Sequence, residues 1–415
     1  MNCYLGFILL FLMGTFLLDT LADTLNLSHL QEDLPAEFKG IFDKQKYIES
    51  LRYQRTGVYF ELCHRTLSFG VTLGFILFGG FNRVDQFSRS FGMSEIVTGL
   101  LFVGTLSALK LVLELPFSIY HTFVIEERFG FNQTTPRTFV LDLLKGTLLS
   151  ALFGGGVFAG IVFFFERFGS SAWLLSWCAF TLFQWILMYL APAFIMPLFN
   201  KFSPLPEGPL QNAIQEYSRK QNFKLSGIYT MDSSKRSSKS NAFFTGFGKF
   251  RRLVLFDTLI EKQTIPELVA ILAHEVGHFK RRHILKSLGV SILTTGFVFY
   301  TFHLFQNNSD LFFAFKMVAL SSYASVVFAG FLCSPILKVL SLFTQKLSRK
   351  HEYEADEYSV QTYGQPEMLI SALKKLSVDN LSHLTPHPLK VAMDYTHPPV
   401  LQRINALRRM KVLPP

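Results

Sequence analysis

Apolar residues in this chain gather into long unbroken runs separated by charged connections, not into the short amphipathic stripes of a soluble domain. Seven runs stand out, at about 3–22, 66–82, 97–124, 146–165, 172–198, 284–305 and 311–343. Each reaches the roughly 17–25 residues a helix needs to cross a bilayer, and the third and seventh are long enough to tilt or project beyond it. The pattern predicts seven membrane-spanning helices.

The connections read differently. Residues 23–65 are charged, of mixed sign and partly helical in pattern, and 125–145 form a second loop containing Pro136. The largest polar region, 199–283, opens with a Pro-rich stretch at 199–206 and a helical stretch at 209–222. Gly227–Met231 and Arg252–Phe256 follow as short β-branched and aromatic strands. Apolar positions at Ile265, Leu268, Val269, Ile271, Leu272, Val276 and Phe279 then mark one side of a helix. Thr264 and Glu267 are spaced as a capping box at its start, with Pro266 in the first turn, and Lys280, Arg281 and Arg282 suit its end. Its apolar stretch, 265–279, is too short at about 1.5 Å per residue to span a bilayer. The tail, 344–415, reads as helices separated by Pro386, Pro388, Pro398 and Pro399.

Composition agrees with the runs. Of 415 residues 49% are hydrophobic, 46 are Phe, and only 17% are charged, against about 25% in soluble domains. The net charge of +10 would suit a nucleic-acid binder, but its distribution points elsewhere. The connections after the first, third and fifth runs and the tail hold 6, 3, 14 and 10 Lys and Arg; those after the second, fourth and sixth hold 2, 1 and 0. Membrane proteins keep basic loops in the cytoplasm, so the N-terminus is expected outside and the 199–283 region and tail inside. No nucleic-acid partner is expected. The first run lacks a basic leader, and Leu21-Ala22-Asp23 is a poor cleavage match, so it is expected to stay as an anchor. Cys3, Cys63, Cys178 and Cys333 are scattered, with no C-x-x-C, and are expected to pack. Four N-x-S/T sequons are read as chance.

The chemistry lies in His274-Glu275-Val276-Gly277-His278. On a helix His274 and His278 sit one turn apart on one face, so both imidazoles reach one Zn²⁺, with Glu275 on the flank beside a water. Zinc lowers the pKa of such a water to about 7, and a neighbouring carboxylate takes its proton as it attacks a carbonyl. The extended H-E-x-x-H-x-x-G-x-x-H pattern fails at Arg281 and Ile284. A third ligand is needed from elsewhere, with a position left open. Glu352 is the best candidate, and Asp356, four residues on, shares its helix face and can accept from a ligand imidazole. On the residues alone, a solvated charge cluster remains the alternative, and Glu354 and Glu357 read that way. His283 and His351 lie next to the motifs but off register and are not counted as ligands.

Several longer blocks extend the pattern. They are 115–118 through 129–132, Pro197-Leu198-Phe199-Asn200-Lys201-Phe202, and 237–259 with Ser240-Asn241-Ala242-Phe243. The zinc motif, Glu352-x-x-Ala355-Asp356, and Tyr395-Thr396-His397-Pro398-Pro399 with Arg403 complete the set. Across nearly its whole length the chain resembles the Ste24-type CAAX prenyl proteases, integral-membrane zinc metallopeptidases. The resemblance implies a mainly α fold: seven membrane helices enclosing a chamber, with a small cytosolic α+β gluzincin-like domain. It implies one Zn²⁺ per chain on His274, His278 and Glu352, and Glu275 as general base and then acid. Asp356 would support a ligand from behind, and Asn241 would lie by the substrate backbone. His397, helped by Arg403, would stabilise the oxyanion, a role worth about 3 kcal/mol.

The chain then divides into 1–198 with five spans, the metallopeptidase segment 199–283, two spans in 284–343, and the tail 344–415. Lys110 and Glu114, at i,i+4 in the third run, are expected to pair and, with Lys286, to face the chamber. The substrates implied are prenylated C-terminal peptides or membrane proteins, beside a lipid bilayer. The chain ends without a dilysine signal and is compact, so a bacterial inner membrane is favoured, with the endoplasmic reticulum the expectation for a eukaryotic member. Two alternatives are an HtpX-like quality-control protease, which has fewer spans and lacks the N-terminal blocks, and a non-catalytic membrane protein whose metal is closed by four protein ligands.

Overall fold

The computed structural model describes residues 2–245 and 251–411. Residues 246–250, inside the 237–259 block, and 412–415, the end of the tail, lie outside the described residues. The N-terminal half is a bundle of long helices. Helix α1 (Cys3–Ser28) starts at Asn2, whose Oδ1 accepts from the Tyr4 N–H at 2.8 Å. Asp43 caps α2 (Lys44–Leu77) in the same way, and Gly79, at φ 70°, opens a 65° bend into α3 (Gly80–Arg89). Helix α4 (Glu95–Tyr120) runs on past Pro116 into a π-helical turn at His121–Glu126. Helix α5 (Pro136–Leu149) joins α6 (Gly155–Arg167) through another such turn, and α7 (Ala172–Leu190) joins α8 (Met196–Phe199) through a third, which contains Pro192. These turns are the usual response of a helix whose hydrogen-bond ladder slips or meets a proline.

The region that follows is a small mixed sheet on helices. Strand β1 (Phe202–Pro204) precedes α9 (Pro209–Lys220), β2 (Gly227–Met231), β3 (Ala242–Thr245) and β4 (Arg252–Phe256), and the sheet order is β1-β2-β4-β3. Strand β3 pairs antiparallel with β4, Phe243 opposite Val254, and lies at the sheet's edge. Helix α10 (Asp257–Lys262) leads into α11 (Ile265–Lys280). Leu253 and Leu255 of β4 pack on Leu268, Leu272 and Val276 of α11, which fixes that helix against the sheet. Glu267 accepts from the Thr264 N–H at 2.7 Å and also from Ser371 and Lys375, so the expected cap is tied to the tail as well.

Helix α12 (His283–Phe305), α13 (Ser309–Ala314) and α14 (Ser322–Tyr363) return through the bundle, and α15 (Pro366–Asp379), α16 (Pro388–Asp394) and α17 (Val400–Arg409) form the tail. Among the described residues six helical stretches are long and apolar enough to cross a membrane, α5–α6 and α7–α8 each counting as one, and the bent α2–α3 pair brings the number to seven. In the most apolar stretch within 169–199, as long as a membrane crossing, no residue is buried within the chain. An aqueous protein would not leave that surface open; a bilayer covers it. The fold class read from the sequence stands: mainly α, with a seven-helix apolar bundle and a small sheet domain.

Three readings need correction. The last run does not begin its span at 311. Asn308 caps the separate α13, Lys316 turns the chain at φ 57°, and Ser321 starts α14. Leu311, Phe312 and Phe315 are apolar because they fill the bundle core, which an aperiodic apolar run does not distinguish from lipid exposure. Nor does that span end at 343. Helix α14 continues unbroken to Tyr363 and carries Glu352 and Asp356 as an extension of a membrane helix. Finally, Glu114 pairs with His64 of α2, at 2.8 Å, instead of Lys110. Residues of the 23–65 connection also share one core with the tail: Leu30, Phe38, Phe42 and Tyr47 pack with Leu369, Ile370, Ile404 and Leu407.

Candidate active site

Helix α11 presents His274 and His278 toward α14, and α14 presents Glu352 toward α11. Two helices approach this closely only where one has no side chain. Gly277 is that point: a Cβ there would lie 3.0 Å from the Ala355 Cα and 3.1 Å from its carbonyl oxygen. Gly277→Ala is therefore expected to destabilise the protein by about 1–3 kcal/mol and to weaken metal binding by forcing α14 outward. Thermal melting with and without added zinc checks this.

The three side chains converge. His274 Nε2 lies 3.1 Å from His278 Nε2, Glu352 Oε1 3.2 Å from His278 Nε2, and Glu352 Oε2 3.4 Å from His274 Nε2. A tetrahedral ion held at about 2.0–2.1 Å separates its ligands by roughly 3.3 Å, so the spacing fits zinc. The donor set of two imidazoles and a carboxylate fits as well. Glu352 is buried at 3% exposure, yet its Oε2 makes no well-formed hydrogen bond despite nearby imidazoles and a guanidinium. A buried carboxylate crowded by nitrogen atoms, one oxygen without a well-formed bond, is the arrangement a cation site presents.

Behind these three side chains lies a buried ion pair. Asp356, fully buried, sits 2.8 Å from His274 Nδ1, and Arg403 Nε donates to Asp356 Oδ2 at 2.9 Å while its Nη2 donates to Oδ1. Arg403 Nη1 lies 3.4 Å from Glu352. Burial disfavours the Arg403 charge, but Asp356 outweighs it and holds the guanidinium protonated more firmly than usual. Burial likewise pushes the Glu275 carboxyl above the usual carboxylate range, and the imidazoles of His274 and His278 only partly offset this. His397, between α16 and α17, is exposed, with Nδ1 2.8 Å from Glu352 Oε2.

Thus His274, Glu275, His278, Glu352, Asp356, His397 and Arg403 gather in one place. Asn241 is exposed at the head of β3. Its side chain accepts from the Ala242 N–H at 2.8 Å, and its carbonyl from the Phe256 N–H at 3.1 Å. His283 is the residue the sequence reading set aside. Arg282 takes a left-handed conformation, φ 58°, between α11 and α12, and so returns His283 to the back of His278. Helical register did not reveal this, and a basic residue at positive φ leaves no readable signal.

An apolar helical bundle joined to a sheet domain with an H-E-x-x-H helix defines an integral-membrane metallopeptidase. Residues 23–201 match the family model described as CAAX prenyl protease N-terminal, five membrane helices, and residues 204–411 match Peptidase family M48. The chain is 32% identical to the CAAX prenyl protease 1 homolog of Arabidopsis thaliana over 96% of each chain. It is 32% identical to CAAX prenyl protease 1 of Saccharomyces cerevisiae, covering 90% of this chain and 88% of that one, and 30% identical to the human homolog, covering 91% and 89%. The crystal structure of S. mikatae Ste24p superposes with a TM-score of 0.93 at 29% identity, over 98% of this chain and 99% of that one. The chain belongs to the Ste24, or CAAX prenyl protease 1, family of M48 peptidases. It is a multi-pass membrane metalloprotease of that type.

Proposed function

We propose that the chain binds one zinc ion through His274, His278 and Glu352 and cleaves peptide bonds of prenylated C-terminal peptides at the cytoplasmic membrane face. The ligand spacing of 3.1–3.4 Å is the observation that carries this reading. Bound zinc supplies Lewis acidity and acidifies water. Glu275 takes a proton from water as the oxygen adds to the scissile carbonyl carbon, then gives it to the departing amine nitrogen as the C–N bond breaks. Asp356, neutralised by Arg403, holds the His274 ring in the tautomer that leaves Nε2 free. His397, exposed above the cluster, donates toward the developing oxyanion. Among the described residues no strand pairs with the outer side of β3, whose backbone can receive an extended substrate, with Asn241 at its entrance.

The spans fall in 1–198 and 284–343 and the site residues in 199–283 and 344–415, with α14 running from the last span on into the tail. The basic connections support an N-terminus outside and a site inside, whether the membrane is a bacterial inner membrane or the endoplasmic reticulum. In proteoliposomes, a farnesylated peptide is expected to be cleaved faster than its unprenylated twin, and chelator to abolish both reactions. Equal cleavage of both twins, with efficient degradation of an unfolded membrane protein, would favour the quality-control alternative.

Metal binding is expected to depend on pH. Without metal, burial disfavours a charged His274, but Asp356 and Glu352 outweigh it and push the imidazole up to about 9. That proton must leave before zinc binds. Apparent affinity should therefore rise about tenfold per pH unit below 9 and level off above it, as measured by chelator competition at several pH values.

A further inference from the structure

Behind His278 stands a buried group that the catalytic scheme does not use. His278 Nε2 faces Glu352 and His274; with that nitrogen on zinc the ring's proton sits on Nδ1, which lies 3.1 Å from His283 Nδ1. His283 must then accept at Nδ1 and hold its own proton on Nε2, which lies 2.9 Å from Glu354 Oε2. His283 is 3% exposed, and the His351 ring stacks on it at 4.0 Å and 9°. Lys286 and Lys350 each approach Glu354 to 3.7 Å and hold its charge in place.

We propose that His283 and Glu354 are positioning residues that fix the tautomer and ring plane of His278 for metal binding, as Asp356 does for His274. This rests on His278 being a zinc ligand. His283, His351 and Glu354 also lie close enough together to suggest a second ion, and His351 Nε2 is buried without a hydrogen-bond partner among the described residues. Stacked parallel rings direct their in-plane lone pairs side by side, however, and cannot converge on one ion at about 2.0–2.1 Å.

The test uses the full chain in detergent, with zinc affinity measured by chelator competition and folding by melting of the metal-free protein. His283→Phe keeps a ring on His351 but neither accepts nor donates; it is expected to weaken zinc binding about 10–100-fold. His283→Gln restores an acceptor and a donor and is expected to stay within about threefold of wild type. Wild-type affinity in His283→Phe, or equal loss in both variants, would overturn the proposal. So would two zinc ions per wild-type chain falling to one in His283→Phe. If His283→Phe does not fold, Glu354→Ala, at the partly exposed end of the relay, is expected to lose about tenfold, and unchanged affinity there would also overturn it. A wild-type chain that binds no zinc would instead sink the metal reading itself.

Discussion

Glu275→Gln is expected to keep the fold and the metal while losing turnover by roughly 10²–10⁴-fold, the usual worth of a positioned general base. In barrier terms that is about 3–5 kcal/mol. The change is isosteric and removes the carboxylate that α11 places beside His274 and His278. Burial has already raised the Glu275 carboxyl toward neutrality, against the pull of His274 and His278, which brings its basicity nearer the working pH. The measurement is turnover of a farnesylated peptide by metal-replete protein, with zinc content determined on the same sample. Full activity in a variant that holds zinc would reject Glu275 as the base.

Arg403→Leu is expected to have the largest effect on stability. The guanidinium is the counterion of Asp356, which is fully buried and itself supports His274. Removing one partner of such a pair leaves a buried carboxylate uncompensated, at a cost of about 3–5 kcal/mol. Arg403→Leu combined with Asp356→Leu should recover part of that loss, because neither charge then remains alone. Zinc affinity should fall in both, since His274 loses the group that fixes its tautomer. Melting temperatures of the metal-free chains decide the matter; an unchanged single variant, or a double variant no better than the single, would contradict it.

Both expectations rest on residues whose placement was unequally legible in the sequence. The spans showed as apolar runs because lipid-facing helices need apolar side chains along their whole length. The motif helix showed its cap, its stripe and its two histidines at i and i+4. Strands β2 and β4 appeared at their observed bounds, Gly227–Met231 and Arg252–Phe256. What stayed hidden depends on contacts between distant segments. The Gly277–Ala355 approach, which lets α14 deliver Glu352, joins residues far apart in sequence. The break at 309–321 was masked because core-facing and lipid-facing Phe look alike. His283 was off helical register because the helix ends at Arg282, whose left-handed turn no local pattern announces.

Zinc-edge X-ray absorption on the purified chain tests the central claim most directly. The expected result is one zinc per chain with a nitrogen and oxygen shell at about 2.0–2.1 Å, including two imidazoles, and loss of that shell in Glu352→Ala. A sulfur shell at about 2.3 Å, drawn from the free cysteines, or an unchanged spectrum in Glu352→Ala, would contradict it.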